Sequence, residues 1–123
     1  MLKVQTRDLG TVAIVCLQGQ IVNGETETLR DTVQRLSGVS AVILDLARVN
    51  IVDASGLGVM LALREQAQAR GIRFELMNVN KWVARVLQIV RLDTVFRIVP
   101  TLEVFPAGAR GRRTPAPLLA SCA

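Results

Sequence analysis

The chain has 123 residues, of which 50% are hydrophobic and 20% charged, a balance that suits one globular domain and argues against general disorder. The net charge is +5, but three of the fifteen basic residues lie in the C-terminal stretch and aromatic residues make up only 3%, which argues against direct nucleic-acid binding. No uncharged apolar run reaches the ~18 residues of a membrane helix, and residues 1–10 lack the layout of a signal peptide. The sequence therefore predicts a cytoplasmic protein without membrane insertion.

The first third of the chain predicts a hairpin and a helix. Two β-branched and apolar runs, residues 4–8 and 12–17, are separated by a short turn that contains Gly10, as in a β-hairpin. Asn23 is the predicted cap of a helix that ends near Gly38. The inward face of this helix carries Leu29, Val33 and Leu36.

The middle of the chain predicts a buried strand followed by a longer helix and another strand. Residues 41–46 form a continuous apolar run, typical of a strand that is buried on both faces. The second helix is predicted from about Ser55 to Arg70, and Gly71 ends it. Its inner face carries Gly56, Val59, Met60, Leu63 and Ala67. The alternation of Ile72, Phe74 and Leu76 predicts the strand that follows.

The last predicted helix and strand complete an α/β domain. Asn80 is the predicted cap of the third helix, and residues 95–99 form the last predicted strand. The inward residues of this helix are Val83, Val86, Leu87 and Val90. The order β-β-α-β-α-β-α-β predicts one domain, residues 1–106, with a mixed, mostly parallel sheet and helices packed on it. Residues 107–123 are rich in proline, glycine and arginine and are predicted to be a flexible basic tail.

The chemistry of the chain argues against an enzyme. It contains no histidine, so no Ser-His-Asp triad can be built. Its two cysteines lack metal-ligand spacing, and no phosphate-binding glycine motif is complete. We therefore expect no catalytic residue, no cofactor and no metal site.

One segment carries a specific motif at the junction between the central strand and the second helix. An apolar strand ends in Asp45-Leu46, and after a short loop the chain reads Asp53-Ala54-Ser55-Gly56-Leu57-Gly58. This pattern resembles the signature of the STAS domain family, which includes anti-sigma-factor antagonists and cytoplasmic domains of sulfate transporters. The resemblance extends over about residues 3–103 and implies the same fold that the predicted elements indicate.

The resemblance also implies a function. In anti-sigma-factor antagonists of this family, the residue that matches Ser55 is phosphorylated by a serine kinase that is also the anti-sigma factor. The unphosphorylated protein binds that kinase and frees a sigma factor, and a metal-dependent serine phosphatase resets the switch. By the same match, Asp53, Ala54, Gly56, Leu57 and Gly58 form the phosphorylation loop and the partner-binding surface.

Other interpretations of these residues remain open. Asp53 or Ser55 alone is also typical of an ordinary helix N-cap, and the two glycines of a close approach between helix and sheet. Within the family, a non-phosphorylated adaptor subunit of a transporter ATPase and a module of a sensor complex are the alternative functions. Trp82, Lys81 and Arg85 are interpreted as ordinary surface residues.

The sequence departs from the family pattern at three places. Many phosphorylated antagonists carry an acidic residue where this chain has Val22 and Asn23. Arg91 stands where a glycine commonly precedes the Leu-Asp pair, and Pro106 interrupts the usual final helix. We expect these differences to bear on partner identity and C-terminal packing, and not on the fold or the motif.

Overall fold

The computed structural model describes residues 1–99 together with the backbone of residues 103–104 and 118–119. The elements follow the predicted order, and the predicted mixed sheet is confirmed. Their bounds are β1 (Lys3–Leu9), β2 (Val12–Ile21), α1 (Glu27–Gln34), β3 (Ala41–Val52), α2 (Ala54–Ala69), β4 (Arg73–Met77), α3 (Lys81–Ile89) and β5 (Arg97–Val99).

Five strands form one sheet in the order β1-β2-β3-β4-β5. β1 and β2 are antiparallel, and the turn between them contains Gly10 at φ +79°, a conformation that glycine adopts without steric cost. The later strands are parallel to β2, each joined to the next by a helix. Because parallel strands end at the same edge, the starts of α2 and α3 lie at one edge of the sheet.

All three helices contribute to one hydrophobic core on one face of the sheet. The strand residues of this core alternate along β2, β3 and β4, as the two-residue period of a strand requires. They include Val15, Leu17, Val42, Leu44, Phe74 and Leu76, packed with Leu29, Met60, Leu63 and Leu87 of the helices. The opposite face carries a smaller buried cluster of Ile14, Cys16, Ile43 and Met77. On the same face, the carboxylate of the buried Glu75 forms a salt bridge with Arg97 at 3.0 Å.

The carboxyl ends of α2 and α3 have the same pair of backbone hydrogen bonds. At α2, Gly71 N–H donates to Gln68 and Ile72 N–H donates to Ala67. At α3, the N–H groups of Arg91 and Leu92 donate in the same way to Gln88 and Leu87. This arrangement needs one residue in the left-handed region, which is Gly71 at φ +71° and Arg91 at φ +61°. The family glycine is thus replaced by arginine at a position that favours glycine.

Several predicted boundaries were wrong. Asn23 does not cap α1, because it lies in a turn closed by the Glu25 N–H and the Val22 carbonyl, and the helix begins only after Thr26, without a side-chain cap. The third strand continues six residues past Leu46, to Val52, because its extension pairs with β2. α2 begins at Ala54 rather than Ser55, since Asp53 is its cap.

Smaller differences concern the last two elements. Val90 was predicted to point inward, but it is the cap residue that follows α3 and is 45% exposed. β5 is shorter than residues 95–99, because only Arg97–Val99 pair with β4.

Beyond residue 99, the described backbone consists of two short strands. β6 (Glu103–Val104) and β7 (Leu118–Leu119) pair in antiparallel orientation. The predicted flexible tail otherwise lies outside the described residues, and it stays a prediction. Within the part of the chain that the structure describes, no helix has both the length and the apolar character needed to cross a bilayer.

Candidate functional site

The motif predicted from the sequence lies at the edge of the sheet where the parallel strands end. β3 pairs with β4 only as far as Asp45, opposite Met77, but it pairs with β2 as far as Val52, opposite Ile21. The last part of β3 therefore projects beyond its neighbour β4. It delivers the chain to Asp53 and the start of α2.

Asp45 lies just before the projecting part of β3 and holds it in place through two hydrogen bonds. Its side chain is only 4% exposed, and its carboxylate accepts hydrogen bonds from the Ala47 N–H at 3.0 Å and from the Asn78 amide at 3.2 Å. The first bond shapes the chain just after the Asp45-Leu46 pair, and the second ties β3 to the segment that follows β4. The buried carboxylate is thus held by hydrogen bonds that orient the loop.

Asp53 is the N-cap of α2 and the centre of a hydrogen-bond network. One carboxylate oxygen accepts from the Gly56 N–H at 2.8 Å, and the other accepts from the Asn23 N–H at 3.0 Å. The Asn23 N–H, and after it the Gly56 N–H, hold the pKa of Asp53 below its usual value, because both bonds favour the charged form. The cap joins the start of α2 to the loop that follows β2.

Gly56 and Gly58 differ in their surroundings although both belong to the motif. A methyl group at Gly56 would run into the carbonyl oxygen of Ile21 and would lie 2.9 Å from the Ile21 Cγ2 atom. Only glycine allows this approach of α2 to β2. A methyl group at Gly58 would meet no atom within 4 Å. Packing within the described residues therefore explains Gly56 and leaves Gly58 unexplained.

Ser55 is exposed at the second position of α2, two residues after its cap. Ala54 and Gly58 are exposed beside it, whereas Leu57 is 8% exposed and belongs to the core. The first charged side chain of α2 is Arg64, so the exposed surface that the start of this helix contributes around the hydroxyl is small and uncharged. Of the six predicted residues, Gly56 and Leu57 are thus packed inside.

A second capped helix begins at the same edge. The side-chain oxygen Oδ1 of Asn80 accepts from the Val83 N–H at 2.9 Å, which confirms the predicted cap of α3. Its amide also donates to the Val49 carbonyl at 2.7 Å, a bond that the sequence does not signal. Asn80 therefore fixes the start of α3 against the projecting part of β3.

Among the described residues, no group of three or more Asp, Glu, Cys or His side chains is placed to hold a metal ion. The polar groups of the edge are instead committed to hydrogen bonds that shape its loops. What the site offers to another molecule is one exposed hydroxyl among small, uncharged residues of α2, beside the carboxylate of the cap Asp53.

Comparison with known proteins places this geometry in a family. The sequence model of the STAS domain matches residues 3–104. A STAS-domain containing protein of Pseudomonas aeruginosa (strain UCBPP-PA14) is 27% identical over 90 residues, which cover 72% of this chain and 89% of the relative.

Solved structures share the fold at lower identity. An anti-sigma factor antagonist from Mycobacterium paratuberculosis has a TM-score of 0.71 at 21% identity, over 83% of this chain and 88% of its own. The anti-sigma factor antagonist SpoIIAA in its unphosphorylated form has a TM-score of 0.68 at 20% identity, over 81% of this chain and 89% of its own. The phosphorylated form of SpoIIAA, from Bacillus, has a TM-score of 0.65 at 19% identity, over 81% and 92% of the two chains.

Proposed function

The chain belongs to the STAS domain family, and we propose that it acts as an anti-sigma-factor antagonist in a phosphorylation-controlled partner switch. In this proposal the unphosphorylated chain binds an anti-sigma factor that is also a serine kinase, and a sigma factor is released. Phosphorylation of Ser55 ends the binding, and a metal-dependent serine phosphatase restores it. The chain itself is ligand and substrate in the cytoplasm, and not a catalyst.

The observation that carries this proposal is the exposure of Ser55 in the first turn of α2, between the small residues Ala54 and Gly58 and beside the carboxylate of the cap Asp53. Ala54 and Gly58 place no bulky side chain beside the hydroxyl, so the active site of a kinase has room to approach it. The same features suit a flat protein contact. One modification at Ser55 would therefore lie inside the contact that it regulates.

Charge explains why phosphorylation would end binding without unfolding the chain. A phosphoserine adds roughly −1.5 to −2 charges. At the N-terminus of α2 this charge is favoured by about 0.3–1 kcal/mol, so the fold tolerates it. A docked partner would have to desolvate the phosphate, and the carboxylate of Asp53 two residues away adds like-charge repulsion.

Two similar proteins of known structure support the proposal. SpoIIAA is an anti-sigma factor antagonist with an unphosphorylated and a phosphorylated form, and both forms share the fold of this chain. A matching antagonist from Mycobacterium paratuberculosis has the same fold. The Asp53 to Gly58 segment is the part of this chain that resembles the phosphorylated motif of such antagonists.

The test is direct phosphorylation. The purified chain is incubated with ATP and, in turn, with each anti-sigma-type serine kinase encoded in the same genome, and any phosphate is mapped by peptide mass spectrometry. We expect one kinase to add a single phosphate, at Ser55, and Ser55→Ala to remain unmodified. Full phosphorylation of Ser55→Ala, or no phosphorylation by any of these kinases, would reject the proposal and favour the transporter-adaptor function.

A further inference from the structure

The outward face of α3 has an unusual composition for a surface helix. Val83 and Leu87 are buried against the core, and the opposite side of the helix carries Lys81, Trp82, Arg85 and Ile89. Trp82 is 56% exposed and Ile89 is 69% exposed. Large apolar side chains grouped on one stripe, rather than scattered singly, are typical of a surface that binds something.

The charges of this face have one sign. α3 has two basic residues, Lys81 and Arg85, and no acidic residue. Lys81 also lies in the first turn, where the partial positive charge of the helix terminus adds to its own. A positive side chain at the positively charged end of a helix does not stabilise the helix. The outward face of α3 is therefore better suited to bind a negatively charged group on another molecule.

The start of the α3 face lies at the same edge as Ser55, and Ile89 lies at the other end of the helix. Asp53 caps α2 with Ser55 two residues later, and Asn80 caps α3 with Trp82 two residues later. The two caps are linked through β3, because the Asn80 amide binds the Val49 carbonyl four residues before Asp53. Ile51, which is 41% exposed, lies between these two points on the projecting strand.

We propose that Lys81, Trp82, Arg85 and Ile89 form a second contact for the partner that binds at Ser55, with Trp82 as its apolar anchor. This inference rests on the proposed function and adds the chemistry of the partner. The complementary surface is an apolar pocket on a protein, surrounded by acidic side chains. Tryptophan and arginine are the residues most enriched among the energetically dominant contacts of protein interfaces.

The Ser55 surface and the α3 face would have different roles in binding. The start of α2 carries no charged side chain except the cap Asp53 and holds the proposed modification, whereas the α3 face carries positive charge and an aromatic side chain. Charge complementarity contributes mainly to specificity and to the rate of association. The α3 face would therefore determine which kinase binds, and phosphorylation of Ser55 by that kinase would end the binding.

The experiment measures binding of the full chain to the kinase that phosphorylates it, by titration calorimetry in the absence of ATP. Trp82→Ala and Arg85→Glu are compared with wild type, with Arg30→Glu as the matched charge reversal on the exposed side of α1. Ser55→Asp is measured beside them. Because Trp82 is largely exposed, its variant should keep the circular dichroism spectrum of wild type, and Trp82→Phe should recover part of the affinity.

We expect Trp82→Ala and Arg85→Glu each to weaken binding by about tenfold or more, and Arg30→Glu to change it by less than about twofold. Raising the salt concentration should reduce the difference between Arg85→Glu and wild type. If Ser55→Asp weakens binding but Trp82→Ala does not, the α3 contact is wrong and the switch stands. If Trp82→Ala weakens binding but Ser55→Asp does not, the α3 contact stands and the switch is wrong.

A lipid surface is the competing occupant of a basic and aromatic helix face. Sedimentation of wild type and Trp82→Ala with vesicles of phosphatidylserine and phosphatidylcholine in equal parts separates the two. We expect both proteins to stay in the supernatant. Sedimentation of wild type that Trp82→Ala abolishes would overturn the assignment of a protein partner.

Discussion

The carboxylate of Asp53 accepts a hydrogen bond from the backbone N–H of Asn23 at 3.0 Å, although thirty residues separate them in the chain. The other carboxylate oxygen binds the Gly56 N–H of α2. One side chain therefore holds the loop after β2 against the start of the helix that carries Ser55. This relationship makes Asp53 a positioning residue for Ser55, the proposed phosphorylation site.

Removing this carboxylate should affect the switch more than the fold. We expect Asp53→Ala to lower the melting temperature by a few degrees only, because Asp53 is a partly exposed cap outside the core. Phosphorylation of Ser55 should slow much more, since the loop loses the bonds to Asn23 and Gly56. The measurements are thermal unfolding and the initial rate of phosphorylation, and global unfolding of the variant would make Asp53 a residue of the fold instead.

The lowered pKa of Asp53 predicts how its contribution depends on pH. Because the carboxyl group titrates lower in the folded chain than in the unfolded one, its stabilising effect is fully present above the unfolded pKa, about 3.9. It is lost as pH falls through the folded pKa. The difference in melting temperature between wild type and Asp53→Asn should thus be constant near neutrality and shrink below pH ~4. A difference that does not vary with pH would contradict this.

The two glycines of the motif should respond oppositely to alanine. Gly56→Ala should destabilise the fold by about 1–3 kcal/mol, because the methyl group meets the Ile21 carbonyl. Gly58→Ala should stabilise it by roughly 0.5–1 kcal/mol, since the position is helical and open. Urea denaturation measures both. If Gly58 serves partner approach, its variant should bind the kinase more weakly despite the gain in stability.

Ser55 variants should separate binding from modification. Ser55→Ala should bind the kinase permanently, because it cannot be phosphorylated. Ser55→Asp should weaken binding less completely than phosphate, which has about twice the charge and three acceptor oxygens. Both should remain folded, since Ser55 is exposed. Calorimetric titration of each variant is the measurement, and equal affinity of wild type and Ser55→Asp would argue against Ser55 as the regulated residue.

Arg91→Gly should stabilise the chain. A left-handed conformation costs a residue with a side chain about 1–2 kcal/mol, and the greater entropy of unfolded glycine cancels part of that gain. We expect a rise of roughly 0.5–1 kcal/mol for Arg91→Gly. The reverse change at the equivalent turn, Gly71→Arg, should give a loss of similar size, since both residues have the same backbone role. A loss of stability for Arg91→Gly would show that contacts of the Arg91 side chain dominate.

Local signals in the sequence predicted the three helices and the cap of α3, and they gave Asp53 as one of two possible caps of α2. The caps at Asp53 and Asn80 depend on residues three positions away, so the pattern is visible within one turn. Asn23 shows the limit of this reasoning. It is a residue type typical of caps, but it lies inside the turn closed by the Glu25 N–H and the Val22 carbonyl, and the helix begins only after Thr26.

Pairing and close approach were not visible in the sequence. The strand beyond Leu46 carries exposed polar residues such as Arg48 and Asn50, and only its pairing with β2 makes it a strand. In the sequence, Gly56 and Gly58 are two glycines of one motif with nothing to distinguish them. Only the structure shows that Gly56 lies against Ile21 and Gly58 does not. Tertiary contacts of this kind have no local signature.

The projecting end of β3 has a kinetic consequence. Because the strand pairs with β2 almost to Asp53, Ser55 stands on ordered backbone and not on a long loop. Little conformational entropy then remains to be lost when a partner docks. The association rate constant should be set by diffusion and charge. Variants at this surface should differ chiefly in the dissociation rate constant of the complex. If the chain acts as the proposed switch, its rate of turnover is then set by its kinase and phosphatase.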